Sequence, residues 1–499
     1  MTKKITLLVA SVMLSFSAVF AGGVLTNTNQ SARFIRLVAL DATTTVDGAY
    51  YNPAGLAKLG RDGFHFSFSN QSAFQKRIIT TTYAPFAMNG GNATKQFIGE
   101  ASAPIVPSLQ AAYKKGKWVL SGSLAVTGGG GKATFNDGLA SFEGMMSVTP
   151  AIIAKGFAEQ NNLPIGNDIF KGVGYSLDQY MSGSSYIYGA QIGGTYAIND
   201  MFSVYAGFRL NIVNNKYEGY LRDLKIKVAT QGLEGKGYPD GVHVMNPGEA
   251  LNQAAADALA NGDEATANSL GLLGLATTED GARLNSKQSG WGVSPILGFN
   301  FNYKKLNIGI KYEFKTNLNV ENKTKIDNTG MFKHGVNVAH DIPALLTIGA
   351  SYEVLPKLTL NAGYHRFFDT DSDVESSSNT LKINKNRYIT GTDEYLFGAE
   401  YKINDIFLVS VGGQMTRYDL EDKFQSDLSF SLNSYSIGFG GAAKVAKNVL
   451  INVGYFWTEY SDQTINKANY LDNANFPIPG KTVYSRKNKV FAAGVEFSF

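Results

Sequence analysis

The feature that most constrains this chain is the rhythm of its connections. From residue 62 onward, stretches of alternating apolar and polar residues are joined by links that are tight and long by turns. The tight links are Lys114-Lys115-Gly116, Asn199-Asp200, Lys304-Lys305, Leu355-Pro356, Asn404-Asp405 and Ala446-Lys447. The long ones span residues 84–104, 128–184, 220–287, 322–341, 369–392, 419–429 and 461–482. In an up-and-down meander every second connection lies at the same end, so one end carries turns and the other carries loops. About fourteen strands fit, starting near residues 63, 105, 117, 185, 201, 288, 305, 343, 357, 394, 406, 430, 447 and 483. An even number of strands returns the chain to the side where it began.

The alternation also assigns faces. Leu306, Ile308, Ile310, Tyr312 and Phe314 share one side, against Asn307, Gly309, Lys311 and Glu313. Val449, Ile451, Val453, Tyr455 and Trp457 repeat the pattern, as do Phe491, Ala493, Val495, Phe497 and Phe499 at the end of the chain. A soluble sandwich would alternate too, but would not confine seven long loops to one end. With 54 Gly, 26 Tyr, 31 Phe and only 17% charged residues, the chain suits a membrane barrel with aromatic girdles. A bilayer offers no water to orphan amides, so such a sheet must close on itself. The expected fold is all-β: a transmembrane up-and-down β-barrel of about 14 antiparallel strands over residues 62–499.

Lys3 and Lys4, then ITLLVASVMLSFSAVF, then Ala21 make residues 1–21 a secretory signal peptide, to be left out of fold reasoning. The mature chain would hold no cysteine, which excludes a lipid-anchored lipoprotein and any disulfide framework. A net charge of +4 does not suggest a nucleic-acid partner.

Between signal and first strand stands GAYYNPAGLAKLG, residues 48–60, a tightly turned unit built around Asn-Pro. With Ser31-Ala32-Arg33 upstream, Asn52, Pro53 and Ala54 here, and a final phenylalanine, the chain resembles the FadL-like long-chain fatty-acid transporters of Gram-negative outer membranes. The resemblance implies that residues 22–61 form an N-terminal hatch, or plug, inside a monomeric barrel. It implies uptake of long-chain fatty acids or other hydrophobic compounds through apolar, partly helical loops, without a cofactor or a direct energy source. Its surroundings would be outer-membrane lipid and lipopolysaccharide. One departure is plain: where the family often has a small, glycine-rich run before the asparagine, this chain has FIRLVALDATTTVDG.

Candidate ligand contacts carry open alternatives. Residues 246–276 and 148–181 suggest short helices in the long loops. There Leu270, Leu272, Leu273 and Leu275 suit either a capture surface or loop-on-loop packing. A fatty-acid carboxylate wants a cation in a water-poor lumen, and alternation turns Arg209 and Lys311 inward. Glu313, Glu400 and Glu496 turn inward as well, so a structural charge network is the other reading. Asn52 and Pro53 either shape the plug or touch ligand.

No enzyme is indicated. GGGGKA at 128–133 lacks the first glycine and the hydroxyl residue of a phosphate loop, the positions being Val126 and Ala133. The five histidines show no zinc spacing, and no serine elbow accompanies His340-Asp341. The rival functions are an open diffusion porin, against which the segment 22–61 argues, and a surface adhesin or receptor barrel.

Overall fold

Alternation becomes architecture once the strands pair in register. In the computed structural model, fourteen antiparallel strands follow one another around a barrel. They are β1 (Gly63–Tyr83), β2 (Thr94–Lys115), β3 (Trp118–Phe135), β4 (Gly174–Ala197), β5 (Phe202–Ala229), β6 (Ala282–Tyr303) and β7 (Leu306–Glu313, resuming at Asn319–Asp327). Then come β8 (Ala344–Leu355), β9 (Leu358–Phe368), β10 (Ile389–Lys402), β11 (Phe407–Leu420), β12 (Ser434–Ala446), β13 (Val449–Tyr460) and β14 (Gly480–Ser498). β1 pairs with both β2 and β14, so the sheet closes without an edge. The structure describes residues 26–151, 153, 173–229, 242–328, 330, 332–373, 375–378, 381–384, 389–427, 429–471 and 477–499. The expected signal peptide lies outside them.

The faces fall where alternation puts them. His65, Ser67, Ser69, Arg209, Asn307, Lys311, Glu313 and Asn452 point inward and are buried. Phe64, Phe68, Phe208, Ile212, Ile310, Val409, Ile437, Val453 and Phe491 are exposed on the outside, an apolar belt that a bilayer would cover. At the tight-turn end Tyr113, Trp118, Tyr303, Tyr352, Tyr401 and Phe499 form an exposed aromatic ring.

The wall is uneven in height. β5 runs for 28 residues and β9 for 11. A membrane strand needs only about 9–11 residues, so the tall strands continue well beyond the bilayer. This is why β2 and β4 begin at Thr94 and Gly174 rather than near 105 and 185. Their outer parts alternate in burial without an apolar outward face, and hydropathy alone does not see them.

Residues 26–61 fold inside the barrel. Ser31 caps helix α1 (Ala32–Leu37), its hydroxyl accepting from the Phe34 amide. Two 3-10 turns follow, Val46–Ala49 and Pro53–Lys58. From Phe34 to Ala42 the segment is buried throughout, although its side chains are bulky. The space comes from the wall. A Cβ on Gly309 would stand 2.2 Å from the Asp41 carbonyl oxygen, and one on Gly412 would stand 2.1 Å from that of Leu37. The small residues absent from the segment are supplied by the strands around it.

The long connections pack into an apolar ceiling. Helices α2 (Ala140–Ser147), α3 (Gly248–Ala260) and α4 (Glu264–Ala276) bury Leu139, Met146, Leu251, Leu270 and Leu273 against Tyr83, Phe97 and Phe135 of the strand ends. Helices were expected over 246–276 and stand there. Of the second expected helical stretch, residues 149–151 and 153 are helical, while residues 174–181 belong to β4, where β5 offers them a ladder with one bulge between Ser176 and Asp178; residues 152 and 154–172 lie outside the described residues.

Candidate functional site

The inner segment is tied to strands all round the ring. Asn52 caps the second 3-10 turn, its Oδ1 accepting from the Gly55 amide at 3.3 Å, while its Nδ2 donates to Asn300 Oδ1 at 2.8 Å. Pro53 occupies the first turn, where its missing N–H costs nothing. The carbonyl of Pro53 accepts from Thr195 and that of Ala54 from Ser203, both at 2.7 Å. The Asn-Pro-Ala motif is thus a capped turn whose carbonyls meet β4 and β5.

Buried charges complete the attachment. Arg33 reaches Asp47 at 3.0 Å and Glu496 at 2.7 Å. Burial and the neighbouring Glu496 push the Asp47 carboxyl up to about 6, against the pull of Arg33. Arg36 reaches Glu400 at 2.6 Å, with Ser410 and Asn452 as further acceptors. His365 stands between Asp41 of the segment, at 2.9 Å, and Glu394 of the wall, at 2.8 Å. Removing one partner of a buried ion pair costs about 3–5 kcal/mol. Arg36→Ala should therefore lower the unfolding midpoint of the detergent-extracted barrel far more than Lys76→Ala, which breaks a pair that is more than half exposed. Equal shifts would show that Arg36 does not anchor the segment.

Arg209 and Lys311, expected to face the lumen, come together there, but on the segment and not on an open cavity. Both bind Glu313, at 2.5 and 2.6 Å, and both lie over the Tyr50 ring, at 4.7 and 4.8 Å. Lys311 also donates to the Tyr50 carbonyl at 2.9 Å. Leu270, Leu272 and Leu273 are buried in the ceiling, whereas Leu275 is 38% exposed.

Two features that alternation did not reveal lie elsewhere. The first is a parting between β2 and β3. Their ladder runs from Gly99–Phe135 to Ser102–Lys132 and resumes only at Leu109–Leu124. Residues 103 and 106–108 keep to β1 across a bulge at 104–105, and residues 125–131 keep to β4 through two bulges. Pro104 and Pro107 bring no N–H to the ladder, and the run Gly128–Gly131, with Gly129 at φ 67°, permits the bulges. The β3 groups left over turn to the inner segment. The Asn27 amide donates to the Thr127 carbonyl at 2.8 Å, and Gln30 Nε2 to that of Val126 at 2.9 Å. The Gln30 carbonyl in turn accepts from Ser108 and Gln110 of β2.

The second is a cavity of about 310 Å³ between the inner segment and the ceiling. It is walled on one side by Ala101, Ala103, Val126 and Gly131 at the parting, and on others by Phe34 and Phe456. Arg77 of β1 and Arg486 of β14 line the same cavity and stand directly opposite each other in the ladder. Both guanidinium groups lie over the Phe430 ring, at 5.6 and 5.1 Å. Arg486 donates through Nη2 to the Phe430 carbonyl, and its buried Nε has no acceptor among the described residues. Like charges placed face to face on a sheet repel, so the pair favours an anion between or beside them.

No family model matches this sequence, and no curated protein matches it either. Solved structures match it in fold. A FadL homologue from Pseudomonas aeruginosa aligns over 96% of this chain and 100% of its own, with a TM-score of 0.60 and 13% identity. The toluene transporter TodX of Pseudomonas putida aligns over 94% and 99%, with a TM-score of 0.51 and 16% identity. A deltaS2S3 mutant of TodX, described as a monoaromatic hydrocarbon channel, gives 0.54 at 15% identity over 93% and 98%. At such identities the likeness is one of fold, and the fold is that of the FadL-like barrels.

Proposed function

We propose that this chain is a Gram-negative outer-membrane barrel that lets hydrophobic compounds diffuse inward, with residues 22–61 as a hatch that blocks the straight path. The observation that carries this reading is the meeting of the luminal cavity with the β2–β3 parting. A greasy solute held in the cavity has small side chains and the bonds of Asn27 and Gln30, not a β2–β3 ladder, between it and the bilayer. The exit is then sideways, into lipid, and needs no energy source. Fold relatives named for toluene transport and for FadL homology agree with a hydrophobic cargo. A porin would keep an aqueous lumen, which the buried segment fills.

Long-chain fatty acids are the finer reading. A carboxylate beside Arg77 and Arg486 would relieve their repulsion and find charge-assisted donors, while its chain lay along Phe34 and Phe456. Arg209 and Lys311 hold Tyr50 in this account, Asn52, Pro53 and Ala54 shape the hatch, and Leu275 is the leucine of its run left open to an arriving ligand.

Uptake of labelled oleate and of labelled octadecane, by cells with and without the barrel, tests both levels. Hydrogen bonds to a charged group are worth about 1.5–3 kcal/mol, so Arg77→Gln with Arg486→Gln should lower oleate uptake about tenfold or more. Octadecane uptake should stay within about twofold, since its transfer uses apolar contacts alone. Uptake that is equal with and without the barrel overturns the transport reading. Equal loss of acid and alkane in the double variant overturns the carboxylate site.

A further inference from the structure

We infer that the outer face of β5, β6 and β7 carries a binding site for a multiply phosphorylated lipid head group, of the kind lipopolysaccharide presents. Lys216 of β5 is paired directly with Lys287 of β6, and Lys287 directly with Lys323 of β7. Three ammonium groups therefore stand in one row across three neighbouring strands. All three are half-exposed or exposed, on the outward face. Like charges in direct cross-strand positions destabilise a sheet. The row is only partly relieved from within: Glu218 lies 2.8 Å from Lys216 and Glu321 lies 3.9 Å from Lys323, which leaves the outer two lysines paired. Lys287, in the middle, forms no ion pair among the described residues. Arg283 and Lys325, exposed nearby, add to the positive charge.

Height identifies the partner. The row stands just above the apolar belt, toward the long loops. Ile212 and Trp291, the latter 69% exposed, end the belt on β5 and β6 four positions below Lys216 and Lys287. Four strand residues span about 13 Å, or about 10 Å of height once the strand tilts. That is the head-group layer of the leaflet on the loop side. Phosphates on neighbouring lipids repel one another and must be bridged by cations. Against a barrel wall that bridge has to come from the protein, and a row of lysines supplies it with the lipid's chains lying on Ile212, Trp291 and Val293. The site rests on the outer-membrane reading above but not on what the barrel transports.

The test uses the full-length barrel extracted in mild detergent. Lipopolysaccharide retained per barrel is measured by native mass spectrometry. The unfolding temperature is then followed on adding intact lipopolysaccharide, dephosphorylated lipopolysaccharide, or inorganic phosphate. Lys216→Gln, Lys287→Gln and Lys323→Gln together should reduce retained lipopolysaccharide at least fivefold and abolish the thermal shift. The triple arginine variant should keep both, and Lys304→Gln with Lys305→Gln at the opposite end should change neither. Dephosphorylated lipid and inorganic phosphate should give no shift. Wild-type retention in the triple glutamine variant overturns the site, as does an equal shift from free phosphate. Normal oleate uptake by the triple variant separates this result from any failure of the transport reading.

Discussion

Oxidation of Ala103→Cys paired with Gly131→Cys should abolish uptake, and reduction should restore it. A Cβ at position 131 would lie 3.9 Å from that of Ala103, across the parting between β2 and β3. That separation is within the roughly 3.5–4.5 Å a disulfide accepts. The chain has no cysteine of its own, so no other bond competes. The cross-link would hold the two strands together where their ladder fails, without touching the inner segment, the ceiling or the arginine pair. A loss of at least about tenfold under oxidising conditions, regained with a reductant, places the exit here. Unchanged uptake by fully oxidised protein would move the exit elsewhere, past the inner segment or through another part of the wall.

The second large effect concerns the blocked axis. Gly412→Leu puts a side chain where the Leu37 carbonyl already sits, and Gly309→Leu does the same at Asp41. Overpacking a filled site costs about 1–3 kcal/mol, and the inner segment is the part free to yield. Purified wild-type barrel in a planar bilayer should pass little steady current, while either variant should open a lasting ion conductance. The heat-dependent gel mobility of each variant reports whether the barrel itself has formed. A formed Gly412→Leu barrel as silent as the wild type would mean that residues 26–61 do not seal the lumen.

The wall was legible in the sequence because strands report themselves locally. Period two placed Arg209, Lys311, Glu313, Glu400 and Glu496 on the inner face, and all five stand there. What those side chains touch was not legible, because their partners are remote. Arg36 meets Glu400 364 positions away, and Arg33 meets Glu496 463 positions away. Alternation says that a lysine looks inward; it does not say that Tyr50 of the inner segment has arrived beneath it. The parting between β2 and β3 did leave a local trace, in Pro104, Pro107 and four successive glycines. Those glycines invite comparison with a phosphate loop, yet their role is to let a strand bulge. The wall glycines are a different kind of trace. Each looks like a weak point in a strand until the segment it accommodates is known.

The long reach of these attachments bears on how the molecule comes to be. Arg33 and Arg36, near the start of the described residues, bond to β10, β13 and β14, among the last strands to be made. The first residues to emerge thus wait for the last before they can settle. Closing so large a loop is slow, and its entropy must be met before any contact rewards it. Docking of the inner segment is complete only once these last strands are in place, and a chain that has not yet paired β1 with β14 has no finished lumen to leak through.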